Sequence, residues 1–449
     1  MKRFKKALLV VLVFAFASTC FLFGAGQGTF AAKKVTLDWW FQDWSGGNAW
    51  MRDYIVKFEK KYPGIHLNYI PIPFEELNVK MIPSIAQGNE PPIMFGYDEW
   101  VAARDVSKLF LPQSPDPYTV DEWKKAVYAP TLKNVTGPDG NIYGYPFVTG
   151  ANAFGFIYHK DLFREAGVDA EAIKSWDDLK KAAKKLTVYN PDGSIKRSGV
   201  LFSYTEAANT FLDMICMQEA RDKLLNPGKA EWNFNIPQAK RAMETLKSFV
   251  DEKIYDPRSG DSAITFPNKI GAMLLQGPWG VGATMTSFPE LNVGFLGMPP
   301  YPDKSTKLQL GSVVSYGTFF LSRRLTDSKK DAAMTFIKEL VNNPAEFFDI
   351  PFYHKPPYWV GVINSKAYIA ELKKRPENKM TEYAKTALIA TEKGLPAVHP
   401  LDTKISEPDL IRNILFPQMQ KVFLGKESID KMLSYLTKYL TSREKELAR

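Results

Sequence analysis

An α/β fold of two or three domains is what the sequence predicts, and three observations carry it. Strand-period and helix-period stretches alternate along the chain, the pattern of sheets flanked by helices. The 449 residues are 45% hydrophobic and 13% aromatic, enough apolar surface for one or more large cores. Cysteine supplies no framework: of the two present, Cys20 falls in an expected leader, so Cys216 stands alone and the core has to carry the stability.

Residues 1–31 read as a processing segment. Lys2, Arg3, Lys5 and Lys6 precede an apolar run over residues 7–24, and Thr29-Phe30-Ala31 makes a small-residue cleavage site, so the mature chain is expected from Ala32. The run is at the lower edge of what spans a bilayer, which leaves an uncleaved anchor as the alternative. A lipid anchor at Cys20 is not favoured, because Thr19 precedes it and Phe21-Leu22-Phe23 follows it. The expected location is outside the cell, free or attached to the outer face of the membrane. The formal charge of +9 loses the leader's four cations and becomes +5, scattered among acids without a basic block, which argues against nucleic acid as a partner.

Residues 35–41 predict a strand, followed by Met51, Tyr54, Ile55, Phe58 and Tyr62 at helical spacing up to the stop Pro63-Gly64. A second strand is expected over 65–70, and Pro83 should kink or end the helix after it. Asp139-Gly140 in the turn cluster 136–141 favours a tight hairpin leading into a strand over 142–147. Asn190-Pro191-Asp192-Gly193 marks a second turn. His159 has no nearby Cys or His and reads as a surface or capping residue rather than a metal ligand. Ser175 and Asp178 form a capping box, with Leu179, Ala182, Ala183 and Leu186 as the apolar stripe behind it. Pro237 opens a helix with Ala239, Ala242, Met243, Leu246 and Val250 inward. Strands are expected over 270–275, 292–298 and 317–321, the last running into a helix capped near Thr326.

Residues 266–279, FPNKIGAMLLQGPW, are the most informative stretch. Their strand breaks at Gly277-Pro278 and presents Trp279 beyond its C-terminal edge, where an indole is a stacking platform for the C–H face of a sugar ring. The stretch resembles the F-x-x-G-K-x-A-M strand G-x-W signature of bacterial extracellular solute-binding proteins, the sugar-receiving subunits of ABC importers, including the maltose-binding type. Asn268 stands where that family usually has Gly. FEKKYPGI (58–65), YGYPF (143–147), FIYHKDLFREAG (156–167) and SWDDLKKAAKKLT (175–187) are similar to further stretches of the same family, with His159 in place of its usual Asn.

The resemblance implies a two-lobe periplasmic-binding-protein-like fold, each lobe a sheet flanked by helices, joined by hinge crossings. Lobe 1 is expected to hold 32–147 with 295–322, and lobe 2 to hold 148–294 with 323–449. The resemblance also implies a monomer that receives a carbohydrate in the cleft between the lobes, closes on it, and passes it to the membrane permease subunits of an ABC transporter.

Several constellations bear on that cleft. In LDWWFQDWSGG (37–47) a strand places Trp40 and Gln42 on one face and Trp39 and Phe41 on the other. Gln42, Asp43 and Trp44 then fall beyond the strand's C-terminus, where open α/β sheets bind ligands; by the resemblance this loop lines the cleft, although a Trp44 covering the core fits the sequence too. FGYDEW (95–100) sets the hydroxyl acceptors Asp98 and Glu99 beside Tyr97 and Trp100, which can stack. Glu75 and Glu76 fall at the family's other acidic lining position, or simply complement a helix dipole. Thr149 and Asn152 lie at the first crossing, within reach of a sugar. The Pro-rich aromatic tract 348–361 must be a shaped loop in which Tyr353 and Trp359 form a binding wall or a packed lid.

Other chemistry is missing from the sequence. Without G-x-x-x-x-G-K-[ST], ATP must bind a separate subunit. There is no G-x-S-x-G and no H-E-x-x-H; His66, His159, His354 and His399 are too dispersed for a metal set, and the Asp-Gly turns lack calcium-loop spacing. No cofactor and no catalytic activity are expected. Two alternatives stay open: a secreted carbohydrate-active enzyme using paired carboxylates, and the same scaffold with a non-sugar solute.

Overall fold

The computed structural model describes residues 34–43, 47–97, 106–127, 135–148, 151–226, 229–260, 262–276, 290–301, 311–314, 317–343, 395–396 and 409–447, with a few single positions between them. In chain order, β1 (Val35–Gln42), α1 (Gly47–Lys61), β2 (Ile65–Ile72), α2 (Phe74–Gln87) and β3 (Ile93–Tyr97) come first. Then β4 (Tyr145–Val148), β5 (Ala151–Ala153) and β6 (Gly155–His159) follow in close succession. They lead to α3 (Trp176–Leu186), β7 (Leu201–Phe202), α4 (Tyr204–Met217), α5 (Pro237–Asp251), β8 (Met273–Gln276) and β9 (Val293–Gly297). The remaining elements are β10 (Gly311–Val314), β11 (Gly317–Leu321), α6 (Asp327–Asn342), β12 (Leu395–Pro396), α7 (Phe416–Phe423) and α8 (Ile429–Leu447).

Local signals act as expected at most element ends. Ser175 Oγ accepts the Asp178 N–H at 3.0 Å and starts α3. Gly140, at φ 81°, lets the turn close with Gly137 N–H on the Asn141 carbonyl at 2.8 Å. The strand after it is shorter than expected, beginning at Tyr145, because Ile142 makes only an isolated bridge to Thr136. Pro83 does not end α2, which runs on to Gln87, where Gly88 terminates it in the left-handed conformation. In α5 the inward stripe ends on Phe249, and Val250 is half-buried. His159 stands at the N-cap of the short helix Lys160–Glu165, as a capping residue would, but its side chain makes no capping bond and it is not on the surface. It is fully buried, stacked on Phe266 at 4.2 Å, with Nε2 at 2.8 Å from the Phe266 carbonyl and Nδ1 without a partner among the described residues.

The strands named above form two main sheets and a small third one, and two short hairpins of two strands each stand beside them. The first has the order β2-β1-β3-β11-β4, with β1 parallel to β2 and β3, and β11 antiparallel to β3 and β4. Leu37, Trp39 and Phe41 enter a core with α1, α2 and α6. At its centre the Trp39 ring meets Phe41, Tyr69, Phe319 and Phe336 edge-on at 5.1 to 5.6 Å, the geometry that the ring quadrupoles favour. The second sheet has the order β9-β6-β8-β7 and packs with α3, α4, α5, α7 and α8 around a separate core. The third, β12-β10-β5, joins them: the chain leaves the first sheet at Val148, passes through β5, and enters the second at Gly155, and it returns from β10 to the first sheet at Gly317.

Two segments pack differently from the expected lobe boundaries. Residues 295–298 were assigned to lobe 1, but β9 pairs with β6 and buries Phe295 and Met298 in the second core. Residues 323–342 were assigned to lobe 2, yet α6 puts Phe336, Ile337 and Leu340 into the first core. Both shifts follow from burial: each segment's apolar stripe goes to the sheet its preceding strand has joined.

Candidate functional site

Strand direction fixes where a cleft can lie. Gln42 ends β1, Tyr97 ends β3, and both Tyr97 and Val148 pair with Gly317 at the start of β11, so these termini share one edge of the first sheet. In the second sheet, Gln276 at the end of β8 and Gly297 at the end of β9 both pair with Gly155, and Phe202 at the end of β7 pairs with Leu275 beside them. Residues 148 to 155 connect the two edges, and so short a stretch reaches at most about 25 Å. The two edges therefore bracket one space, with the linking sheet as its back, and His159 lies at the far end of β6, away from it.

On the first side, Gln42 is buried at the strand end and Asp43 is exposed beyond it. Asp43 is fixed by its N–H on the Ile72 carbonyl at 2.6 Å and by Asn48 Nδ2, which donates to Oδ1 at 2.5 Å. Tyr69 in turn donates to Asn48 Oδ1 at 2.6 Å. Burial, with the Asp43 charge adding to it, pushes the Tyr69 hydroxyl well above its usual value, so it serves this chain as a donor. Trp40 sits two residues inside the strand, half-buried against the first core. Glu76, in the first turn of α2 at the same edge, is exposed, with Oε2 at 2.6 Å from Lys80 Nζ.

The backbone places Glu75 beside it, Tyr97 at the end of β3, and Asn152 in β5 of the linking sheet, opposite Val313. Trp44, Asp98, Glu99, Trp100, Thr149, Trp279, Tyr353 and Trp359 lie outside the described residues, as does the whole tract 348–361. Of these, Trp44, Asp98, Thr149 and Trp279 follow within three residues of strand ends that converge on this space, Gln42, Tyr97, Val148 and Gln276.

One residue absent from the sequence reasoning belongs to the same edge. β7 ends at Phe202, and α4 starts immediately after Ser203, whose Oγ donates to Glu206 Oε2 at 2.5 Å. Glu206 is only 3% exposed. The Ser-x-x-Glu spacing was a legible signal, hidden because the strand before it is two residues long. Among the described residues no group of His, Cys, Asp and Glu can hold a metal ion, and no helix is long and apolar enough to cross a membrane.

The comparisons with known proteins agree with this architecture. A binding protein of Brucella abortus is 23% identical over 382 residues, covering 84% of this chain and 85% of its own. The arabinooligosaccharide-binding protein of Bacillus subtilis is 23% identical over 313 residues, 66% of this chain and 68% of its own. Among solved structures, the GacH receptor of Streptomyces glaucescens superposes with a TM-score of 0.72 at 18% identity, over 92% of this chain and 98% of that one. UgpB of Mycobacterium tuberculosis superposes with 0.74 at 16% identity, over 93% and 100%. These likenesses establish the fold, that of two-lobe binding proteins. Residues 43–346, more than half of the chain, match the family described as bacterial extracellular solute-binding protein, and the chain belongs to that family.

Proposed function

We propose that the chain is the extracellular substrate-binding subunit of an ABC importer, which captures an oligosaccharide between its two lobes and hands it to a membrane permease. The observation that carries this reading is the convergence of strand ends from two separately cored lobes on one space, in a chain of the solute-binding family. Trp279 would stack on a sugar ring from the second side, with Glu206 following another strand end of the same sheet. Asp43, Trp44, Asp98, Glu99 and Trp100 would receive the ring's hydroxyls and opposite face from the first. Binding energy shared between the lobes favours the closed form, which the transporter then recognises. No covalent bond changes.

The sugar class is supported by relatives and neighbours: one is named for arabinooligosaccharides, and solved neighbours were crystallised with acarbose or maltotriose. UgpB, solved with glycerophosphocholine, supports a second reading, a small phosphorylated polyol. The leader reading puts the working protein outside the cell, free or held at the membrane surface. Thermal shift across a glycan panel that includes glycerophosphocholine decides between the two, since a ligand at 100 times its Kd adds about 2.7 kcal/mol. The stabilising glycan should be recovered with unchanged mass; its hydrolysis would make the protein an enzyme.

A further inference from the structure

Thr210 and Asp213 lie three residues apart on α4, so their side chains share one face of the helix, and Glu206 extends that stripe toward the cleft edge. Asp213 is 1% exposed and Thr210 fully buried. Asp213 Oδ1 and Oδ2 and Thr210 Oγ1 have no hydrogen-bond partner among the described residues. Around them α4 contributes Ala207, Ala208, Phe211, Leu212, Met214, Ile215, Cys216 and Met217 to the core. An ionised carboxylate in such surroundings, with neither donor nor cation to meet it, is far more costly than the neutral acid.

The position matters as much as the burial. α4 packs on α5, α7, β8, the short helical turn Arg221–Leu224 and the helical segment Asp409–Leu415 of its own lobe, and also on β10 and β12 of the linking sheet. β8, β10 and β12 carry no charged residue, and no charged side chain of the other packed elements is buried: Arg221, Lys240 and Lys247 are half-exposed, and Asp222, Lys223, Arg241, Glu244, Asp251, Asp409, Arg412 and Lys421 are exposed. Burial alone raises Asp213 well above the carboxylate range, and no charged group contributes.

We propose that Asp213 is a proton-binding site in the second lobe, a neutral acid whenever α4 is seated on the linking sheet, and that it makes hinge movement and ligand capture respond to pH. The second part rests on the closure mechanism proposed above. Loss of the proton would leave a bare charge buried among the core residues of a helix that also packs on the linking sheet, and α4 would have to shift to admit water. The sign follows from proton counting. Between the ordinary carboxylate range and the raised folded value, the folded protein holds one proton more than the unfolded chain, so stability falls as pH rises through that window.

Infrared spectroscopy at pH 7 tests the site on the full chain. A protonated-carboxyl band is expected, shifted in Thr210→Val and missing in Asp213→Asn. The wild type should also lose melting temperature with rising pH more steeply than Asp213→Asn. For the panel's best-stabilising glycan, raising the pH from 6 to 9 should weaken binding at least threefold more in the wild type than in the variant. No protonated-carboxyl band in the wild type, or a band that survives in Asp213→Asn, overturns the site; the wild-type spectrum decides even if the variant does not fold. A band lost on substitution with identical pH dependence of affinity in both proteins overturns the link to the hinge. Should no glycan or glycerophosphocholine bind, it is the proposed function that fails, and the band and melting slopes still decide the proton site.

Discussion

Gly199 is the position at which one added carbon should do the most damage. A Cβ there would stand 1.9 Å from the Ala183 carbonyl oxygen and 2.5 Å from its carbon. These are backbone atoms at the end of α3, not the tip of a side chain that can rotate away. Gly199 is held from the other side too, its N–H on the Ile254 carbonyl at 3.0 Å and its carbonyl accepting the Met273 N–H at 3.2 Å. Even the closest tolerated contact requires the helix and the segment leading into β7 to part by about 1 Å. Overpacking costs about 1–3 kcal/mol where neighbours can yield, so Gly199→Ala should cost about 3 kcal/mol or more. At about 2–4 °C per kcal/mol for a lobe of this size, calorimetry should show the second lobe melting about 6–12 °C lower. Affinity should fall with it, because β7 delivers Ser203 and Glu206 to the cleft edge. Gly193→Ala is the control: its φ is 78° and nothing lies within 4 Å, so only the left-handed backbone is penalised, by about 1–2 kcal/mol. If the two variants melted alike, the contact would have relaxed and the steric reasoning would be refuted.

Trp279→Ala should weaken glycan binding by about 1–3 kcal/mol with an unchanged melting temperature; a lower melting temperature at unchanged affinity, by calorimetry and titration, would make Trp279 a core residue instead. Burial holds the His159 imidazole below its usual value, so the folded protein takes up that proton later than the unfolded chain and stability is lost as pH falls below the ordinary imidazole range; His159→Asn should flatten the drop in melting temperature between pH 7 and pH 5, and an equally steep drop in both proteins would contradict it. Glu339 accepts Lys61 Nζ at 2.7 and 2.8 Å, Tyr62 Oη at 2.8 Å and Asn343 Nδ2 at 2.9 Å while almost fully buried; Glu339→Ala should cost the first lobe about 1–3 kcal/mol in denaturant titration, whereas no change would mean the network is offset by its own desolvation. Small-angle scattering should show compaction on adding the stabilising glycan, and an unaltered radius of gyration would rule out hinge closure.

The alternation that suggested an α/β chain was legible because period-2 and period-3.6 stretches were long in β1, α1, α3 and α5. The resemblance carried the two-lobe architecture and the family. Lobe membership was harder to read, since β9 pairs with β6 and β11, which precedes α6, pairs with β3 and β4, all strands more than a hundred residues away, and nothing local in Phe295 or Phe336 names the core that takes it. Pro83 misleads because a helix can lose one donor and continue when its apolar face is already packed. His159 misleads in the other direction: spacing could rule out a metal set but could not reveal a Phe266 ring and carbonyl waiting in the core. At the cleft, sequence located the strand ends well and missed Glu206, whose strand is too short to register a period.

The interleaving of the two cores has a consequence for how the chain can be made. β11 sits inside the first sheet between β3 and β4, and α6 covers that sheet, yet both follow every strand of the second sheet in sequence. The second core in turn takes Leu410, Met419, Leu433 and Leu440 from the last stretch of chain. During synthesis the first sheet therefore waits with open edges on β3 and β4 until residue 321 has emerged, and the second waits longer for its covering helices. Neither half can lock in early, a useful property for a polypeptide that, if its leader works as read, has to cross a membrane before it folds.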